Sequence, residues 1–238
     1  MTEGIIDIHS HILPGVDDGS RNMEESLKLL EMAYSQGVRG IIATPHYSRS
    51  HDNSHHVPLT EKLREEFRKL HPDFEIWPGQ ETFFHEELPE RLLEGQALTL
   101  AKSRYVLMEM DTGREYSYIL RAVRSLVQSG YKPVFAHIER FPALRSDDRL
   151  DEMVRAGCLL QMNYDSLKGN FFTRDKWCRS KVLEGRIHIL GSDMHRLDFR
   201  PPAIDEAMKW LEKALPEDEL LRMTRVNPLH IIHNEKPE

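Results

Sequence analysis

The sequence predicts an α/β fold whose parallel sheet closes, or nearly closes, into a TIM-like barrel. Three observations carry this. Seven short apolar runs alternate with helical patterns from end to end. Strands that are apolar along their whole length belong to parallel sheets covered by helices. No Gly-rich dinucleotide turn follows any of these runs, and 238 residues suit one α/β barrel domain.

Each element has its own signal. "IIDIH" (5–9) opens the chain, and a helix follows over 23–37. There Leu27, Leu30, Tyr34 and Val38 recur at helical spacing and Gly37 stops the helix. The second strand is "GIIATPH" (40–46), and the helix over 59–70 carries a charged, solvated face. "EIWPGQET" (75–82) precedes a short helix over 86–95, and "YVLMEMD" (105–111) precedes one over 116–130. "KPVFAHIE" (132–139) leads into a helix over 149–157, and "CLLQMNY" (158–164) into one over 175–185. "IHILGSD" (187–193) leads into a helix over 201–215, and two short helices end the chain. The polar segment 48–58 holds His51, His55 and His56 and reads as a solvated loop near the site mouth. No Pro-, Gly- or Ser-rich linker and no repeat divides the chain, so residues 1–238 read as a single domain.

Composition narrows the function. At 39% hydrophobic and 30% charged the chain has ample material for a core. No stretch approaches the roughly 18 apolar residues of a membrane span. The start "MTEGIID" lacks a basic region and an apolar signal segment, so a cytoplasmic protein without membrane insertion is expected. A formal net charge of −7 argues against a general nucleic-acid binder.

Active sites in such barrels sit at the C-terminal ends of the strands. His9 and His11, two apart, face the same way if the first strand continues that far, and Asp7 shares their parity. His46 closes the second run, Glu81 the third and His137 the fifth. Glu109 sits in the fourth, and Asp193 and His195 close the seventh. Only the sixth, ending near Asn163, offers no obvious ligand. Packing needs do not explain this pattern, because an unpaired buried acid or histidine costs several kcal/mol. With Asp18 the set reaches nine, whereas one ion takes about four to six donors. Two or three ions sharing a bridging carboxylate are therefore expected. Histidine and carboxylate without thiolate suit Mn, Fe or Zn. His188 lies mid-strand and reads as structural. Neither cysteine has an arginine six positions on: Tyr164 follows Cys158 and Glu184 follows Cys178. That argues against the phosphate-cradling loop of a cysteine phosphatase, and Cys158 reads as a buried structural thiol.

"DIHSHILPGVDDGS", "IIATPHY", "PGQET", "AHIER", "SDMHRLDFRPP" and "NPLHII" together resemble the PHP superfamily (polymerase and histidinol phosphatase). More narrowly they resemble the bacterial protein-tyrosine phosphatases of capsule and exopolysaccharide operons, over essentially the whole chain. The resemblance implies a distorted (β/α)7 barrel and a trinuclear site, with Mn the first expectation. His9, His11, Glu81 and Asp193 would hold one metal. Glu81 would bridge to a second, held also by Glu109 and His137. Asp18, His46 and His195 would hold the third. Arg140 and Arg200 match the family's phosphate-binding arginines.

The implied reaction is hydrolysis of phosphotyrosine by a metal-activated hydroxide, with no covalent enzyme intermediate. The implied substrate is a tyrosine autokinase, phosphorylated on its tail, that controls polysaccharide export. Each arginine can fork onto two phosphoryl oxygens, and Asp193 or a metal-bound water could protonate the tyrosyl leaving oxygen. A surface pairing of the arginines with Glu139 or Asp198 is the plain alternative. At the level of function the alternatives are a small-molecule phosphatase such as histidinol phosphatase, and a metal-binding regulator without turnover.

Overall fold

The computed structural model describes residues 4–47, 53–169 and 173–237; His51 lies outside them. Every strand pairing is parallel. In chain order the elements begin with β1 (Ile5–Asp7), α1 (Met23–Ser35), β2 (Val38–Ala43), β3 (His46–Tyr47) and α2 (His56–Arg68). Next come β4 (Glu75–Pro78), β5 (Glu81–Phe83), α3 (Leu88–Leu93), β6 (Tyr105–Glu109) and α4 (Tyr116–Gln128). After these stand β7 (Lys132–Phe135), α5 (Asp147–Arg155), β8 (Leu159–Asn163), α6 (Thr173–Leu183) and β9 (Ile189–Gly191). The chain closes with α7 (Ile204–Ala214), α8 (Glu217–Leu221) and α9 (Asn227–Ile232).

The order is the expected alternation, with one difference. The expected second and third strands are each broken in two, so the strands form a sheet β1-β2-β4 and a sheet β3-β5-β6-β7-β8-β9. The breaks fall at Thr44–Pro45 and at Gly79–Gln80, and both have local causes. Pro45 has no N–H to give a ladder. Gly79 lies so close to the second strand that a Cβ there would stand 2.8 Å from Ile42 Cγ2. Each strand resumes just in time to present His46 and Glu81, which are register partners. Beyond β1 the chain meets the residues following β9: His11 N–H donates to Met194 O at 2.8 Å and Asp193 N–H to His9 O at 2.9 Å.

Two apolar clusters hold the fold. One lies between strands and helices and includes Leu29, Leu30, Leu63 and Phe67. The other gathers Ile42, Leu107, Val134 and Ile189 from four strands and Ile8 from just past β1, with Ile231 of α9 among them. This second cluster packs strand residues against one another, and the polar residues described next stand past it along the strands. No helix among the described residues is long and apolar enough to cross a membrane.

Candidate metal centre

Eight of the nine expected ligands are drawn round one point or its immediate rim by the strand ends. Glu81 is its centre. Its carboxylate lies 3.3 Å from His9 Nε2, 3.3 Å from His11 Nε2, 3.1 Å from His46 Nδ1 and 2.8 Å from His137 Nε2. Glu109 lies 3.1 Å from His46 Nδ1 and 3.5 Å from His137 Nε2. Asp193 Oδ1 lies 3.6 Å from His9 Nε2, 3.5 Å from His11 Nε2 and 3.6 Å from His195 Nδ1. Asp18, the ninth, is exposed and reaches in from the loop after β1, 3.5 Å from His46 Nε2 and 3.6 Å from His195 Nε2.

The electrostatics follow from this crowding. Burial alone would raise Glu81, but His9, His11 and His137 hold it well below the usual carboxylate range. Asp193 is likewise buried, and is held low by His9, His11 and Arg140. Burial lowers His137, yet Glu109 and Glu81 outweigh it and lift the ring to about 9. His195 goes the other way: burial and the charge of His11 push it down to about 4.

Four sets of these side chains can each bring ligand atoms within 4.8 Å of one another. They are His9–His11–Asp193, His9–Glu81–His137, His46–Glu81–Glu109 and His11–Asp18–His46–His195. Imidazole nitrogens and carboxylate oxygens converging without thiolate are the donor set of a borderline divalent ion. The residues fit such ions, and His46 stands between two of the sets.

Both arginines stand over the cluster. Arg140 donates to Asp193 Oδ2, and Arg200 Nη1 donates to the same oxygen at 3.2 Å. Neither takes Glu139 or Asp198. Arg21 pairs with Asp198, and the Glu139 carboxylate accepts from Asn163 N–H and Ser166 Oγ. Asp7 is not drawn in: it accepts from Ser192 N–H, Ser192 Oγ and His9 N–H and ties β1 to the end of β9. His188 Nδ1 accepts from Leu160 N–H at 3.2 Å, a structural role. His56 is buried with its Nδ1 2.9 Å from Gln80 Nε2, while His55 is exposed. Cys158 and Cys178 are buried, and burial pushes the Cys158 thiol far above the range where it ionises.

Three contributors escaped sequence reasoning. Asp17, neighbour of Asp18, accepts from His11 Nδ1 at 2.8 Å, from His46 N–H at 3.0 Å and from Gly19 N–H at 2.9 Å. Only the "DDG" turn hinted at it. Gln161 and Asn163 of β8 approach His9 and Asp193, and nothing in their sequence context marks them.

Parallel sheets whose strand ends converge on five histidines and four carboxylates define the class: an α/β half-barrel protein with candidate metal-binding clusters of histidine, aspartate and glutamate. Residues 5–233 match the model of the family described as capsular polysaccharide synthesis, CpsB/CapC, and the chain belongs to that family. It is 33% identical to the tyrosine-protein phosphatase CpsB of Streptococcus pneumoniae over 97% of this chain and 99% of that protein. It is 32% identical to the tyrosine-protein phosphatase YwqE of Bacillus subtilis over 88% of this chain and 84% of that one. Among solved structures, one from the work on YwqE and CpsB, described as unique metal-dependent tyrosine phosphatases, superposes with TM-score 0.89. That match has 29% identity over 98% of this chain and 96% of the other. The Escherichia coli phosphotriesterase homology protein shares the fold alone, with TM-score 0.61 at 12% identity over 94% of this chain and 97% of that one.

Proposed function

We propose that this chain, read as one domain over 1–238, hydrolyses phosphotyrosine on proteins in the cytoplasm. One observation carries the reading. Two arginines converge on Asp193 beside a cluster of carboxylates and imidazoles. Cations alone do not call for arginine, since like charges repel; an anionic substrate lying between them does. The names of its relatives support the phosphotyrosine choice, and the family's description supports capsule synthesis as the setting. The substrate we favour is the phosphorylated tail of a tyrosine autokinase.

We read the nine strands as seven, two of them interrupted, giving a distorted (β/α)7 barrel. Three divalent ions, Mn first and Fe or Zn next, are assigned to this site. His9, His11, Glu81 and Asp193 would hold the first, Glu81, Glu109 and His137 the second, and Asp18, His46 and His195 the third. Bound there, such ions supply a water of lowered pKa and neutralise charge on the phosphoryl oxygens. Arg140 and Arg200 bind and orient the phosphoryl group from the open side. Asp193 stays a carboxylate under His9, His11 and both arginines, so it anchors them rather than delivering a proton. The leaving phenolate therefore takes its proton from water. Buried thiols take no part.

The test compares turnover of a phosphotyrosine peptide with that of histidinol phosphate, before and after chelation and Mn readdition. Peptide turnover that is lost on chelation and restored by Mn is expected. A clear preference for histidinol phosphate, or full activity in metal-free protein, would overturn the reading.

A further inference from the structure

The sixth strand, which supplies no ligand, carries a hydrogen-bond chain whose direction is fixed by one backbone group. His137 N–H donates to Gln161 Oε1 at 2.8 Å. A backbone N–H can only donate, so the side-chain atom facing it is the amide oxygen. The same oxygen lies 3.2 Å from His9 Nδ1. An oxygen that has no hydrogen must accept there too, so the proton of the His9 ring is on Nδ1. Nε2 is then the nitrogen facing Glu81 and Asp193, and in the neutral ring it is the one that carries no proton.

The chain continues from the other end of the amide. Gln161 Nε2 donates to Asn163 Oδ1 at 2.9 Å, which turns Asn163 Nδ2 outward to donate to Asp193 Oδ2 at 2.9 Å. Oδ2 therefore receives Asn163, Arg140 and Arg200, and Oδ1 is the oxygen left facing His9, His11 and His195. All four groups of the chain are buried. The backbone makes room for it at Gly191, where a Cβ would stand 2.8 Å from His9 Cβ and 2.9 Å from Gln161 Nε2.

We propose that Gln161 and Asn163 are positioning residues: Gln161 sets the tautomer of His9, and Asn163 sets which oxygen of Asp193 faces the cluster. The proposal rests on the metal reading above and adds two residues to it. It explains why β8 ends in amides where its neighbours end in ligands. An acid at 161 or 163 would accept where the chain must donate, and an apolar residue would leave His9 free to carry its proton on the ligand nitrogen. Groups that orient a ligating histidine in this way are typically worth 10- to 100-fold in metal affinity.

The test uses zinc as a diamagnetic probe and reads two quantities. The first is zinc affinity of the full chain, by competition with a chelator. The second is the tautomer of the neutral His9 ring in metal-free protein, by nitrogen-15 NMR. In wild type the ring proton is expected on Nδ1. Gln161→Met should weaken zinc roughly 10- to 100-fold and move the proton to Nε2. Gln161→Glu keeps an acceptor and should restore the Nδ1 tautomer. Asn163→Ala should weaken zinc and leave the tautomer unchanged. A wild-type neutral ring protonated on Nε2, or folded Gln161→Met with wild-type affinity, would overturn the proposal. If Gln161→Met does not fold, the wild-type tautomer and Asn163→Ala decide it. Wild-type protein that binds no zinc, Mn or Fe would instead overturn the metal reading on which the proposal stands.

Discussion

Replacing Arg140 or Arg200 by lysine separates phosphoester chemistry from generic metal hydrolysis. Each guanidinium commits one nitrogen to Asp193 Oδ2 and keeps partial exposure, 29% for the Arg140 side chain and 36% for Arg200. A guanidinium has further donors for a second anion, held in the same plane. A lysine ammonium at either position keeps the charge but must choose between Asp193 and the phosphoryl group. The loss is one hydrogen bond to a charged group, about 1.5–3 kcal/mol. At 1.36 kcal/mol per decade, kcat/KM falls roughly tenfold to 150-fold, and further if the contact strengthens in the transition state. Because both arginines share one oxygen, the double variant should lose less than the product of the single losses. The assay is kcat/KM on a phosphotyrosine peptide for both single variants and the double variant, with elemental analysis run in parallel. Metal content should not change. Near-wild-type kinetics in both single variants would show that these arginines do not hold phosphate.

Glu81→Ala removes the carboxylate that four histidines face, so it should lose bound metal together with rate; unchanged metal content by elemental analysis would take Glu81 out of the cluster. Cys158→Ser with Cys178→Ser should keep turnover per folded, metal-loaded molecule, since both thiols are buried; a folded, loaded and inactive double variant would point to a covalent mechanism. The His137 ring has an ordinary value of 6.5 and is lifted to about 9 by Glu109 and Glu81 against the opposing effect of burial. Protonated His137 thus stabilises the metal-free fold fully below pH 6.5, and that contribution disappears as pH rises through about 9. The melting temperature of metal-free protein should fall across that window. Metal affinity should rise over the same window, because binding must displace the proton; a flat affinity profile between these limits would count against His137 as a ligand.

Much of the site was legible because strand ends are poor places for charge. His9, His11, Glu81, His137 and Asp193 stand where apolar strands stop, and the fold gathers them. The barrel's alternation was legible for the same reason, since period and apolarity are local. What was not legible is what depends on register and on direction. Asp17 and Asp18 are adjacent and chemically identical, and only the turn at Gly19 decides that one clamps His11 while the other reaches the rim. Gln161 is 152 residues from His9 in the chain, and an amide in a strand carries no mark of its partner. The two strand breaks did have a mark, in Pro45 and in the "PG" of 78–79, but apolar continuity outweighed it. The arginines' partner, Asp193, is 53 residues from Arg140, whereas Glu139 is its neighbour; sequence proximity favoured the wrong acid.

The cost of this site is written in its backbone. His137, Asp193 and Arg200 all have left-handed backbones, with φ of 34°, 52° and 54°. Such conformations cost of order 1–3 kcal/mol each in a non-glycine residue, and persist where the surroundings over-determine them. Glycine would relieve the strain but has no side chain to offer, so at these three positions chemistry and conformational ease are opposed. The resolution lies one layer down. Ile8, Ile42, Leu107, Val134 and Ile189 pack together without exposure and hold the strands where they end. From those fixed ends the chain has only a residue or two in which to turn a side chain toward Glu81. The left-handed backbone at His137 and Asp193 is how it turns that sharply, with Gly191 supplying the close approach to His9 and Gln161. Strain at the strand ends and dense packing beneath them are therefore one design: the apolar layer supplies the stability that the ligand layer gives up.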